Sequence, residues 1–277
     1  MMYDNYSVLL CVYAKEKADN FSSSVSSIVN QSLPTNDFVI VCDGPLSQEL
    51  DAVIEKYQSQ NPKMIHVLRL PENVGPGRAA HEGFKICQNE IVARMDSDDI
   101  AMPNRMKLEL ARINEGYDVV GGAIEEFNSD PNQIIAIKYQ PEKHEEIVKL
   151  SKKRNPINHV TIMYKKSMVN AVGGYNNFRL GEDYSLVISL IMYGAKCSNI
   201  QESAVKVRMG DGQVSRRSGK LLRHNLHELR KMMYKKHYIT FMQYHKYNFE
   251  TNVFTLMPNW LRKWMYKHVL RQRKQEK

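Results

Sequence analysis

Over the first 125 residues, short apolar runs alternate with segments whose apolar residues recur at helical spacing, and this alternation restricts the fold more than any other feature. Ser7–Tyr13 (SVLLCVY) reads as a buried strand, and Ala18, Phe21, Val25, Ile28 and Val29 then fall on one side of a helix. Phe38–Cys42 (FVIVC) is a second strand, followed by Leu46, Leu50, Val53, Ile54 and Tyr57 on a second helix. Met64–Leu68 and Glu90–Met95 (EIVARM) are the third and fourth strands. Between them Asn73-Val-Gly-Pro-Gly-Arg78 forms a Gly/Pro loop that opens another helix, and Tyr117–Ile124 closes the set. Strands connected through helices imply a parallel sheet covered on both faces.

Beyond about Asp130 the pattern changes. Ile134–Tyr139, His159–Tyr164 and Ala204–Met209 read as short strands, and Glu142–Leu150 and Tyr184–Tyr193 as helices. After Arg216 the chain becomes basic, aromatic and mostly helical, which sets a compositional boundary between residues 1–215 and 216–277. The four cysteines are widely spaced and show no metal-ligand rhythm; Cys11, Cys42 and Cys87 sit in apolar stretches, as reduced core residues do. No apolar run approaches the roughly 18 residues of a membrane span. The first residues also lack the basic flank and apolar stretch of a secretory leader. The expected location is cytoplasmic.

The formal charge of +9 is unevenly distributed. Arg216–Lys277 holds 16 Lys/Arg against 3 Asp/Glu, a net +13, which leaves −4 for the rest. A mildly acidic body with a basic tail suggests an anionic surface as the tail's partner. Within the tail, Pro258–Arg273 sets Trp260, Leu261, Trp264, Met265 and His268 along one helical side, with Arg262, Lys263, Lys267 and Arg271 over much of the rest. That pattern suits peripheral contact with an anionic membrane, and equally a helix packed on the body.

Asp96-Ser97-Asp98-Asp99 directly follows the fourth strand. In a parallel α/β sheet the C-terminal strand ends line the binding crevice. Crowded carboxylates there repel one another unless a cation joins them, and hard oxygen ligands favour Mg²⁺ or Mn²⁺. The competing reading is an acidic cap, with Asp98 or Asp99 closing the N-terminus of a helix that starts near Pro103.

Other strand ends carry similar ambiguity. Val12-Tyr13 would edge a base or ribose, or simply end a core strand. Asp43-Gly44 places a carboxylate after the second strand, as a nucleobase contact or as a turn. Gly77-Arg78 puts a guanidinium at a helix start, suited to a diphosphate, or to plain solvent. Glu182-Asp183 opens a later helix, where carboxylates complement the positive end and where Asp183 is the natural general base. His159 heads an expected strand as an acceptor contact or a structural histidine. Arg208, with the Gly-rich segment to Gln213 after it, is a candidate clasp over a diphosphate.

The ordered set SVLLCVY, FVIVCDG, NVGPGRAAHEG, ARMDSDD and GGY…GEDYSL resembles glycosyltransferase family 2, and within it bacterial capsule, exopolysaccharide and O-antigen enzymes. The resemblance spans about residues 5–210. It implies the GT-A fold, a Rossmann-like mixed sheet flanked by helices, together with a UDP-sugar donor and inversion at the anomeric carbon. Carried onto matching positions, it gives Val12, Tyr13, Asp43, Gly77 and Arg78 to the donor, with Arg208 as the candidate clasp. Asp96 falls on the ribose or metal, Asp98 on the metal, and Asp99 beside them with a less settled duty. Asp183 becomes the catalytic base, and Glu182 places the acceptor. Cys42 departs from the pattern, since many relatives carry another acid before Asp-Gly.

Mn²⁺ or Mg²⁺ is the implied cofactor. The expected acceptor is a glycan or glycolipid, and the resemblance together with the tail suggests a polyprenyl-diphosphate-linked sugar. Two other classes compete. A sugar nucleotidylyltransferase wants a Gly-rich, basic signature after the first strand, where this chain has Ala14-Lys-Glu-Lys-Ala18. A nucleic-acid-binding protein would use Tyr234–Tyr247 for stacking and phosphate contacts. It leaves the acidic cluster unexplained, so no nucleic acid partner is expected.

Overall fold

The computed structural model describes residues 2–175, 181–210 and 220–257. Its strands are β1 (Ser7–Val12), β2 (Asp37–Cys42), β3 (Ile65–Arg69), β4 (Ile91–Asp96), β5 (Ile100–Ala101), β6 (Val119–Phe127), β7 (Ile134–Lys138), β8 (Met163–Lys165) and β9 (Cys197–Arg208). The helices are α1 (Ala18–Val29), α2 (Gln48–Gln60), α3 (Pro76–Ile86), α4 (Arg105–Asn114), α5 (His144–Ser151), α6 (Lys166–Ala171), α7 (Glu182–Tyr193), α8 (Lys220–Lys235) and α9 (Phe241–Leu256).

The strands form one sheet in the order β3-β2-β1-β4-β8-β6-β9-β5, with β7 on the side of β6. The four strands anticipated from the first hundred residues pair in parallel, as βαβ connections require. Beyond them the sheet is mixed, because β8 runs antiparallel to both β4 and β6 while β6 and β9 pair in parallel.

Side-chain alternation along the strands sorts the core into two layers. Val8, Leu10, Val12, Phe38, Ile40, Ile91, Ala93 and Met95 pack under α1, α2 and α4. Leu9, Val39, Val41 and Val92 face the opposite way, toward α3, α5, α6 and α7. Gly83 of α3 permits that packing: a Cβ there would lie 2.4 Å from Val41 Cγ2 and 2.5 Å from Leu9 Cδ1.

Three sequence readings change. His159–Tyr164 is not a continuous strand: His159–Thr161 is a 3₁₀ turn, and β8 begins only at Met163. The Thr161 hydroxyl accounts for the turn, donating to Asn158 O at 2.7 Å and accepting from Gly122 N at 2.9 Å. The helix expected near Pro103 starts at Arg105, but neither Asp98 nor Asp99 caps it, since β5 intervenes and Asn104 occupies the N-cap of α4. The last body strand also begins well before Ala204, at Cys197.

The helices after residue 219 pack on the body. Leu229, Met233 and Ile239 form a cluster with Tyr184 and Ile188 of α7. The Tyr238 hydroxyl lies 2.6 Å from Ser151 Oγ, and Arg230 reaches from α8 to Thr251 of α9 at 2.6 Å. The expected boundary near residue 215 falls outside the described residues, as do Arg216, Arg217, the end of the Gly-rich segment and Pro258–Arg273. Among the described residues no helix is long and apolar enough to cross a membrane.

Candidate active site

The C-terminal ends of the neighbouring strands β2, β1 and β4 lie side by side at one end of the sheet, where Cys11 registers with Asp96 and Val12 with Cys42. Val12 is buried and contributes backbone, its carbonyl accepting from Asp43 N at 2.8 Å. Tyr13 is 38% exposed at the rim. Asp43 is committed to the loop ahead of α3. Its carboxylate accepts from Val74 N at 2.7 Å, Gly75 N at 3.1 Å and Asn73 Nδ2 at 3.0 Å. Gly44 makes the close approach possible, with φ +88° and a site for Cβ only 2.8 Å from Asn73 N. Asp43 therefore fixes the start of α3, where Gly77 is buried and Arg78 is exposed.

The acidic turn is held from several sides. Ser24 Oγ donates to Asp96 O at 2.8 Å, Ser97 Oγ lies 3.2 Å from Glu16 Oε2, and Ala101 N donates to Ser27 Oγ at 3.0 Å. Asp96 remains 41% exposed and pairs with Arg94 at 3.3 Å. Asp98 is half-buried. Asp99 is buried and accepts the backbone N–H of Arg208 at 2.8 Å. Burial, and then the neighbouring Asp98 and Asp96, push its carboxyl well above the usual carboxylate range. Arg208 also donates from Nε to Asp98 O at 3.3 Å and lies 4.7 Å over the Phe127 ring. The end of β9 is thus clamped to the acidic turn.

The β4 strand turns Val92, Arg94 and Asp96 to the same face, toward α7. Arg94 is buried, donating to Leu9 O at 3.4 Å and to Met95 O. Burial opposes its charge, but Cys11, Asp96, Tyr175 and Tyr164 around it more than compensate and raise its pKa. Behind β4, Arg105 is fully buried, donates to both Glu109 oxygens at 3.1 Å and reaches Arg94 O at 2.7 Å.

Glu182 and Asp183 open α7 after Gly181, whose φ of +86° suits a residue without Cβ. Asn155 Nδ2 donates to Asp183 Oδ2 at 3.0 Å. Burial, then the Asp183 charge, push Glu182 up to about 7, and Arg94 and Asp96 lie close enough to act on it as well. His159 is lowered by burial and by Arg94, against the opposite pull of Asp183 and Asp96. Its Nε2 is buried without a hydrogen-bond partner, and its ring meets Tyr175 edge-on at 6.1 Å. Asp96, Arg94, His159, Glu182 and Asp183 therefore share one electrostatic neighbourhood, joined from strand ends and a helix start far apart in the chain.

The sequence reading had no role for Arg94, Asn155 or Tyr175. Arg94 carried a signal, a charge at a position of EIVARM that alternation assigns to the interior; Asn155 carried none.

The family model described as glycosyl transferase family 2 matches residues 7–173. The chain belongs to glycosyltransferase family 2. A Haemophilus influenzae protein named as an uncharacterized glycosyltransferase is 37% identical over 77% of this chain and 79% of its own length. An Escherichia coli UDP-Gal:α-D-GlcNAc-diphosphoundecaprenol β-1,3-galactosyltransferase is 31% identical over 96% of each chain. Among solved structures, residues 1–349 of Staphylococcus aureus TarS, in complex with UDP-GlcNAc, align with a TM-score of 0.67 at 18% identity, covering 90% of this chain and 71% of that one. The family 2 chain thus has the GT-A fold and is a glycosyltransferase.

Proposed function

We propose that the protein transfers a hexose, galactose or glucose, from a UDP-sugar to a polyprenyl-diphosphate-linked sugar in cell-surface polysaccharide synthesis, with inversion. The observation that carries this reading is the meeting of the β4 acidic turn with the Glu182-Asp183 helix start around buried Arg94. One side offers donor-binding carboxylates and the other an acceptor-activating pair. The E. coli relative, named for a UDP-Gal donor and a GlcNAc-diphosphoundecaprenol acceptor and matched over 96% of both chains, supports the two substrate classes.

A divalent cation fits the acidic turn. Among the described residues no group of three or more His, Cys, Asp and Glu is placed to hold a metal by itself. Mg²⁺ and Mn²⁺ at nucleotide sites take one or two carboxylates and complete their shell with phosphate and water. Asp96 and Asp98 would be those two, while Asp99 holds Arg208 and the end of β9 behind them. Burial raises Asp99 most, and the further rise from Asp98 and Asp96 is the part that a cation would relieve. When bound, it would neutralise charge on the departing UDP.

The chain's own residues divide the remaining work. Tyr13 and Arg78 flank the nucleotide, and Asp43 shapes the loop against it. Asp183, held by Asn155, removes the proton of the attacking acceptor hydroxyl. Glu182, half protonated near neutral pH, donates a hydrogen bond to an acceptor oxygen. His159, within the electrostatic reach of Asp183, is the further candidate for the acceptor side. The enzyme would act peripherally at the cytoplasmic face of the membrane, where such acceptors reside.

Screening UDP-hexoses with Mn²⁺ and a GlcNAc-diphosphate-lipid acceptor tests the reading. Asp183→Asn should lower transfer about 10²–10⁴-fold, the usual worth of a general base, while UDP still binds. Near wild-type transfer by that variant would overturn the base assignment.

A further inference from the structure

The α8–α9 hairpin carries a groove of about 450 Å³ lined by Arg223, His224, His227, Asn252 and Leu256. Its place in the fold matters first. Leu222 Cδ1 lies 4.0 Å from where a Cβ on Gly181 would stand, and Gly181 is the residue that starts α7. Farther along, Leu229 and Met233 of α8 pack on Tyr184 and Ile188 of α7. The two helices therefore run side by side in the same direction. Arg223, next in sequence to Leu222, sits at the Glu182-Asp183 end. The α9 helix returns antiparallel, as Arg230 bonding to Asn248 and Thr251 shows, and so brings Asn252 and Leu256 to that same end.

The chemistry of the groove is cationic. Three basic side chains line it and no carboxylate does. The nearest acids on the hairpin are engaged elsewhere, Glu228 with Lys231 at 3.8 Å and Glu250 with Lys153 at 3.3 Å. Among the described residues no ion pair engages Arg223 or His224. His227 Nε2 is buried without a hydrogen-bond partner. Burial, and then the positive charges of Arg230 beneath it and Arg223 beside it, lower the pKa of His227, so its ring enters the groove as a neutral hydrogen-bonding group while the two arginines supply the charge. The arginine charge and the hydrogen-bonding histidine rings in a concave site suit an anion with several oxygens.

One wall is apolar. Met242, Phe249, Val253 and Leu256 fall along one side of α9 and are 80%, 69%, 47% and 71% exposed. The stripe meets the groove at Leu256, so a ligand that fills both is anionic at one end and hydrocarbon at the other.

We propose that the α8–α9 groove binds the diphosphate of the acceptor, with Arg223 and His227 on its oxygens and the α9 stripe along the first part of its lipid. The inference rests on the acceptor class proposed above and adds the residues that read it. The sugar would then extend past Leu222 toward Asp183, so the groove fixes the distance from diphosphate to attacking hydroxyl.

Calorimetric titration tests the groove independently of turnover. Wild-type protein is titrated with a GlcNAc-diphosphate-alkyl ester and with the matching GlcNAc-alkyl glycoside, and the ratio of the two affinities is compared with that of Arg223→Ala/His227→Ala. The ratio is internal to each protein, so a partly unfolded variant does not distort it. The wild type should prefer the diphosphate ester, and the double variant should lose about ten-fold or more of that preference, as expected for charge-assisted contacts. Arg223→Lys should retain part of it. An unchanged ratio in the double variant overturns the proposal. So does a variant that keeps the ratio but loses binding to phosphatidylglycerol vesicles, since the groove would then serve a lipid headgroup. Failure of wild-type protein to transfer any sugar would count against the proposed reaction and leave the binding ratio to decide the groove.

Discussion

Asp43 separates two roles that a strand-end carboxylate can play, and Asp43→Asn tells them apart. The side chain is 5% exposed and accepts three hydrogen bonds, at 2.7, 3.0 and 3.1 Å, from Val74 N, Asn73 Nδ2 and Gly75 N. Bonds to a charged acceptor contribute about 1.5–3 kcal/mol each, and a neutral one about 1. Asparagine keeps one oxygen and turns an NH₂ toward a donor that already carries hydrogen. At least one bond is lost and the others weaken to neutral strength. Partial relaxation of the loop recovers some of this, leaving a loss of about 2–4 kcal/mol. Urea denaturation should show it as a lower midpoint with an unchanged slope. UDP affinity should fall with it, because the loop sets the position of Gly77 and Arg78. A loss under about 0.5 kcal/mol combined with a ten-fold weaker UDP complex would refute the argument and make Asp43 a direct nucleotide contact.

Two further outcomes follow from buried charge. Glu182 has its pKa raised to about 7, so its protonated, donating form is lost as pH rises through 7; kcat/KM should decline there, and Glu182→Gln, neutral at every pH, should remove that decline. A wild-type profile that is flat between pH 6 and 8 would reject this role. Arg105→Met leaves Glu109 buried without its partner and should cost about 3–5 kcal/mol in denaturant, while Arg105→Met/Glu109→Leu should recover much of it. Equal stability of the two variants would show that the cost is packing and not charge.

The parallel half of the sheet was legible because each strand there is a mostly apolar run, broken only by His66 in β3 and Arg94 in β4 apart from its end residues, and each connection is a helix with one apolar side. The second half was less so. Its strands β5 and β8 are 2 and 3 residues long, too short for any periodicity to register. The turn at His159–Thr161 depends on a hydroxyl bonding to Gly122, a residue 39 positions away, which no local pattern records. Adjacency in the sequence puts Asp99 beside Asp98. The structure separates them: one is half-buried, while the other is buried against Arg208 N.

Arg94 shows why the site was only half legible. Alternation assigns residues 92, 94 and 96 of β4 to one face, so an arginine in the middle has to lie beneath whatever the final aspartate serves. Taken alone, a buried arginine is a desolvation cost, and it persists only where its surroundings return the lost hydration. Here Leu9 O, Met95 O and Asp96 do so on the strand side, and Glu182 of α7 lies within reach of its field. The sequence could show the misplaced charge and the two acidic clusters. It could not show that one charge acts on both, because that depends on the fold bringing the end of β4 to the start of α7, far away in the chain. A fixed cation that acts on both Asp96 and Glu182 would, in the proposed transfer, offset part of the negative charge that the donor side and the acceptor side bring together.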